Sequence, residues 1–120
     1  MNAVLWALQV LLALHTAMGA VWKTINSEQT VPSLAAMPHA MWLALAIMEA
    51  VCTLALLAPV VTRRFARVVP VAALAITAEM LGFSVVNLAS SAPDTGSVIY
   101  WVVVAALSAA VGIGRLRRPA

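Results

Sequence analysis

Charge is scarce in this 120-residue chain: seven basic and four acidic residues make up 9% of it, against a 64% apolar share and a mean hydropathy of +1.03. Soluble domains carry about a quarter charged residues. A globule of this length has too little interior to hide so much apolar surface from water. A soluble enzyme, a nucleic-acid reader and a disordered tail are thereby excluded. Cysteine is nearly absent too. Cys52 is the single one, so there is no intrachain disulfide and no relay built on paired cysteines. Metal-ligand spacings such as H-x-x-x-H or C-x-x-C are also missing. The six methionines read as adaptable packing rather than a copper site, and no metal site is expected.

What is present is four long apolar runs, each near the ~20 residues that cross a ~30 Å hydrocarbon core. They cover about 3–22, 39–61, 66–90 and 97–114. Spanning strands need only ~9–11 residues and alternate inward and outward, so these runs predict helices. The expected fold is all-α: one transmembrane domain over 1–120, an up-down-up-down four-helix bundle embedded in the lipid bilayer. Ala17-Met18-Gly19 offers small residues at a spacing that suits signal cleavage. No Lys or Arg precedes it, and the run exceeds a typical signal-peptide core, so a retained first span is expected.

The formal charge is +3, and its distribution assigns orientation. Arg63, Arg64 and Arg67 fall between the second and third runs, and Arg115, Arg117 and Arg118 follow the fourth. The opposite side holds Lys23, offset by Glu28 and Asp94. Positive residues stay inside, which predicts cytoplasmic termini and a multi-pass protein of a bacterial inner membrane. Trp22, Trp42, Tyr100 and Trp101 fall near the other face, where an aromatic belt is expected.

Glu49 and Glu79 break the apolar pattern near the middle of their runs. A charge at that depth costs at least ~2.5–3.5 kcal/mol, so such residues face the bundle interior and serve binding, proton transfer or structure. Small and polar residues recur around them. Ala72, Ala75, Glu79 and Gly82 share one helical face, and Trp42, Ala46, Glu49 and Thr53 another. Thr16, Gly19 and Lys23 align in the first run beside His15. Antiparallel packing lets the two carboxylates meet, with Lys23 reaching inward or snorkelling outward, and with His39 and Asn87 at the same rim. The candidate ligand- or proton-binding residues are therefore Glu49, Glu79, His15, Lys23, Asn87 and His39. No catalytic residue is assigned.

The pattern resembles the DoxX-like family of small four-span bacterial membrane proteins. Met18-Gly19-Ala20-Val21-Trp22-Lys23 is similar to the small-residue pair and lysine that close that family's first span. Ala46-Ile47-Met48-Glu49 with Leu54-Ala55-Leu56-Leu57-Ala58-Pro59 resembles its second-span element, with alanine in place of glycine. Met80-Leu81-Gly82 matches a third-span element that a histidine commonly follows; Asn87 stands there instead. The resemblance implies partners in membrane oxidoreductase systems linked to thiosulfate or quinone, or in redox defence. No heme-ligand pair or flavin fingerprint is visible, so no redox cofactor of its own is expected.

Three functions follow as expectations. The first is an accessory or binding subunit whose carboxylate cluster holds a quinone, another lipophilic ligand or a partner helix, with Trp101, Ala105, Ser108 and Gly112 as an open stripe for such a helix. A second is a proton-coupled transporter, working as a homo-oligomer, that switches on Glu49 or Glu79. The third is a small membrane enzyme using the carboxylates for acid/base chemistry on a lipophilic substrate.

Overall fold

Four helices longer than 20 residues account for nearly all of the structure, a computed structural model that describes residues 2–118. The expected single domain thus extends at Met1, Pro119 and Ala120 beyond the described residues. Helix α1 covers Asn2–Ile25, α2 His39–Val61, α3 Val68–Ala89 and α4 Thr95–Arg117. Each is long and apolar enough to cross a membrane. Among the described residues there is no strand, as expected where every backbone N–H and C=O must be paired inside its own segment.

The helix ends follow from local chemistry rather than from where hydropathy falls. Helix α1 runs three residues past its expected end at 22, and the Asn26 amide closes it by donating to the Trp22 carbonyl at 3.1 Å. Helix α2 begins and ends at the expected 39 and 61, with Pro59 in its last turn. Between α2 and α3, the Thr62 hydroxyl accepts from the Arg64 N–H at 3.3 Å and starts a 3₁₀ turn over Arg63–Phe65. That turn delays α3 to Val68. Helix α4 starts at Thr95 rather than 97, because the Asp94 carboxylate caps it, accepting from the Gly96 N–H at 3.1 Å and the Ser97 hydroxyl at 2.7 Å.

Sequential helices are antiparallel. Gln9 near the start of α1 reaches Leu56 near the end of α2. Thr77 and Ser108 meet across α3 and α4 at 2.8 Å. Asn2 and Arg115, 2.7 Å apart, bring both ends of the described chain to one end of the bundle. The most extensive contact is between α3 and α4, then between α1 and α2, whereas α2–α3 and α1–α4 touch sparingly. The bundle is two tight pairs with two looser seams, and each seam holds a cavity.

The solvent-facing pattern of a water-soluble domain is inverted. Val61, Ile25, Met18 and Leu54 are all more than 70% exposed, a surface that belongs against lipid. Gln9, Thr16, Lys23, Glu49, Asn87, Ser108 and Arg115 are buried. The α1–α2 connector folds back over the open end of the bundle through 3₁₀ turns at Glu28–Thr30 and Pro32–Leu34, burying Ser33 and Leu34.

Candidate functional site

The polar centre begins at Gly19. A Cβ built there would lie 3.3 Å from Glu49 Oε1, so glycine leaves the gap through which the α2 carboxylate reaches α1. One turn further along α1, Lys23 turns inward. Its Nζ donates to both Glu49 oxygens, at 3.0 and 3.1 Å, and both side chains are buried. The ammonium also sits 5.1 Å from the Phe83 ring centroid and 5.5 Å from that of Trp42, where the ring quadrupoles favour a cation. The Trp42 indole N–H is shared by the carbonyls of Lys23 and Asn26, each at 2.9 Å, which pins the end of α1 against α2. Both ions are removed from water, and mutual pairing is what compensates for that removal.

Above this pair lies a cavity of about 410 Å³ on the α1–α4 seam. Trp22, Trp42, Phe83, Tyr100 and Trp101 wall it, and Lys23, Glu49, His15, Ser97 and the Tyr100 hydroxyl are its polar side-chain groups. His15 Nε2 and the Tyr100 hydroxyl are hydrogen-bonded. His15 Nδ1 is buried and has no partner among the described residues. An apolar aromatic box with a few converging polar groups, in this size range, is the usual form of a small-molecule site. Its groups can donate to a carbonyl oxygen from Lys23 or Tyr100, and can pass a proton through His15.

Glu79 is also buried, 7% exposed, but faces the other seam. Neither of its carboxyl oxygens has a hydrogen-bond partner among the described residues. It lies within electrostatic range of Glu49 and Lys23, yet Lys23 gives its bonds to Glu49. The two carboxyls lie at one depth in direct electrostatic contact, and the Glu79 side chain also lines the α2–α3 groove.

His39 and Asn87 are placed outside this cluster. His39 Nδ1 pairs with Glu28 at 2.9 Å, its side chain 58% exposed. That hydrogen bond holds the Glu28 carboxyl below its ordinary range. Asn87 is fully buried and ties loops together: its amide donates to Ser33 Oγ at 2.8 Å and its Oδ1 accepts from the Asp94 N–H at 2.9 Å. Asp94, capping α4, is likewise held below its ordinary range, chiefly by the Ser97 hydroxyl.

Three further expectations are corrected. The aromatic belt is only half formed: Trp22 and Tyr100 are exposed, but Trp42 and Trp101 are buried, drawn inward by the indole hydrogen bonds of Trp42 and by the Phe83 ring packed 5.4 Å from Trp101. The stripe Trp101, Ala105, Ser108 and Gly112 is not open to a partner helix. It is the buried seam against α3, where a Cβ on Gly112 would come within 3.0 Å of Leu74 Cδ2. Arg115 is not a surface topology charge but an interior one.

The sequence pattern does not mark that last group as an interior one. Arg115 Nε donates to Gln9 Oε1 and Nη1 to Asn2 Oδ1, both at 2.7 Å, and the guanidinium lies 4.9 Å from the Trp6 ring. Gln9 passes its own amide to the Leu56 carbonyl at 2.6 Å. The one available signal was Gln9 itself, a lone amide in the middle of an apolar run.

Comparison with known proteins gives one match. The sequence model described as the DoxX-like family matches residues 7–111. Neither a curated protein nor a solved structure matches the chain.

Proposed function

The chain belongs to the DoxX-like family, and from that premise we propose that it is an accessory subunit of a redox-linked membrane system that binds a quinone-class lipophile. One observation carries the reading: the aromatic cavity on the α1–α4 seam ends on the buried Lys23–Glu49 pair. A quinone ring is flat and apolar on its faces and accepts hydrogen bonds at its edges. The tryptophan and phenylalanine walls suit the faces. The Lys23 ammonium and the Tyr100 hydroxyl suit a carbonyl edge, and His15 Nδ1 offers a further polar atom. The isoprenoid tail leaves through the sparsely packed seam into lipid. The redox partner would be a membrane or peripheral oxidoreductase. The protein would sit in a bacterial inner membrane with cytoplasmic termini, for which the five arginines other than Arg115 at that end speak.

Three of the cavity's walls are tryptophans, and quinones quench indole fluorescence on contact. Titration of the detergent-solubilised protein with a short-chain ubiquinone analogue should quench its emission saturably. Tyr100→Phe combined with His15→Leu should raise the half-saturation concentration about tenfold, the equivalent of two modest hydrogen bonds. A linear, non-saturating quench in the parent protein would refute ligand binding at this cavity.

A further inference from the structure

Where α1, α2 and α3 meet, acid outnumbers base. Lys23, Glu49 and Glu79 are all buried there, two carboxyls to one ammonium. Lys23 donates to both oxygens of Glu49. Its Nζ also lies 5.1 Å from the ring of Phe83, one turn beyond Glu79, so the ion pair packs against the stretch of α3 that carries the second carboxyl. Glu79 is in direct electrostatic contact with Glu49. Its side chain is more than nine-tenths buried, and neither oxygen meets a donor among the described residues. The other titratable groups facing this trio add no cation. Cys52 of α2 lies in range of both carboxyls and Tyr100 of α4 in range of Glu49, and a thiol and a phenol carry no positive charge. On α1, His15 faces Glu49 and Lys23. Its Nδ1 is buried without a partner, so an imidazolium there would strand a charged donor.

We propose that Glu49 and Glu79 together bind one exchangeable proton, which makes the trio with Lys23 a neutral proton site inside the membrane. Charge counting carries the assignment. With both carboxyls ionised, two negative charges face one positive charge away from water, and the uncompensated one is strongly disfavoured. One bound proton removes the excess. It also supplies the missing hydrogen bond, because a protonated carboxyl is a donor and the facing carboxylate is the acceptor at hand. Since the two groups are in contact, the proton belongs to the pair rather than to either residue. The site reaches both seams: Glu49 lines the aromatic cavity and Glu79 the α2–α3 groove. A ligand in either seam that brings or withdraws charge therefore acts on the proton.

The test is infrared spectroscopy of the full-length protein at pH 7 in an ester-free detergent, where a protonated carboxyl shows a C=O stretch that ionised ones lack. The remaining acids, Glu28 and Asp94, are held below their ordinary range and are silent in that window. The parent should show one such carboxyl per chain, and its band should move down in D2O because the proton exchanges. Glu79→Gln, which keeps the shape of a protonated carboxyl, should abolish the band with little change in melting temperature. Glu49→Gln should abolish it too, since one carboxyl then faces one ammonium and ionises. If Glu49→Gln proves unfolded by its melting curve, Lys23→Met decides the sharing: with no ammonium both carboxyls must be neutral, and the band should double. Absence of the band in the parent, or no shift in D2O, would overturn the site. So would a band that persists in Glu79→Gln. A band unchanged in folded Glu49→Gln or Lys23→Met would show a proton held by Glu79 alone and refute the shared site. No quinone enters these readouts, so this site and the quinone reading stand or fall separately.

Discussion

At the scale of single residues, the interior of this bundle is organised by pairing rather than by hydrophobicity. Lipid removes the drive that packs apolar faces together in water, leaving close packing and polar bonds to hold helices. Lys23 and Glu49 illustrate the consequence. Removing one ion of a buried pair strands the other, at a cost of about 3–5 kcal/mol, while replacing both by apolar groups is often near neutral. Lys23→Met should therefore lower the melting temperature in detergent sharply, and Lys23→Met/Glu49→Leu should recover most of the loss. Equal destabilisation by the single and double variants would mean the pair is not what holds α1 to α2. The sequence marks both residues as candidates, because an intramembrane carboxylate is conspicuous. It does not mark that Lys23 is the group that gives Glu49 its hydrogen bonds. That choice rests on Gly19, whose missing Cβ opens the path to Glu49, and on the inward turn of Lys23, which snorkelling outward would equally have satisfied.

At the scale of elements, the four spans are legible because ~20 apolar residues have few alternatives in a bilayer. Their ends are less so, since they depend on single capping bonds that hydropathy does not register. Asp94 is the sharpest case. Its carboxylate, lowered from its ordinary range chiefly by the Ser97 hydroxyl, stabilises the start of α4 only while ionised. A depressed carboxyl contributes stability that is complete above its unfolded value, about 3.9, and that is lost as pH falls through the lower folded value. Asp94→Asn keeps a side-chain acceptor at the N-cap without the titration. The melting temperature of the parent should thus exceed that of Asp94→Asn at pH 6, and the gap should begin to narrow only below about pH 4, closing as pH passes the lower folded value. A gap that is constant with pH would show that the ionised cap adds nothing. The aromatic residues were harder to read for a related reason. A tryptophan near a span end suits an interfacial belt and an interior seam alike, and only the carbonyls of Lys23 and Asn26, freed at the end of α1, decide that Trp42 turns inward.

For the whole molecule, pairing of α1 with α2 and of α3 with α4 leaves two seams: one holds an ion pair with aromatic walls, the other an apolar groove that the buried Glu79 side chain lines. Which way this asymmetric object faces depends on its surface charges. Interior pairing removes Arg115 from that count, because a guanidinium bonded to Gln9 and Asn2 and 1% exposed presents little charge to a membrane surface. Arg63, Arg64, Arg67, Arg117 and Arg118 remain at the end of the bundle where the described chain begins and ends. The other end carries Glu28 and Asp94, with Lys23 neutralised inside. The bias survives the loss of one charge, so the expected orientation keeps the termini cytoplasmic. Replacing the buried Cys52 by alanine gives a background on which single cysteines can be placed. In intact cells a membrane-impermeant maleimide should label Ser91→Cys in the α3–α4 loop, and should label Arg117→Cys only after the membrane is opened. The reverse pattern would place both cavities upside down relative to the cytoplasm. It would also mean that five exposed arginines do not govern insertion. Arg115→Gln should leave the labelling pattern unchanged while lowering the melting temperature, which separates a charge that holds the bundle together from charges that orient it.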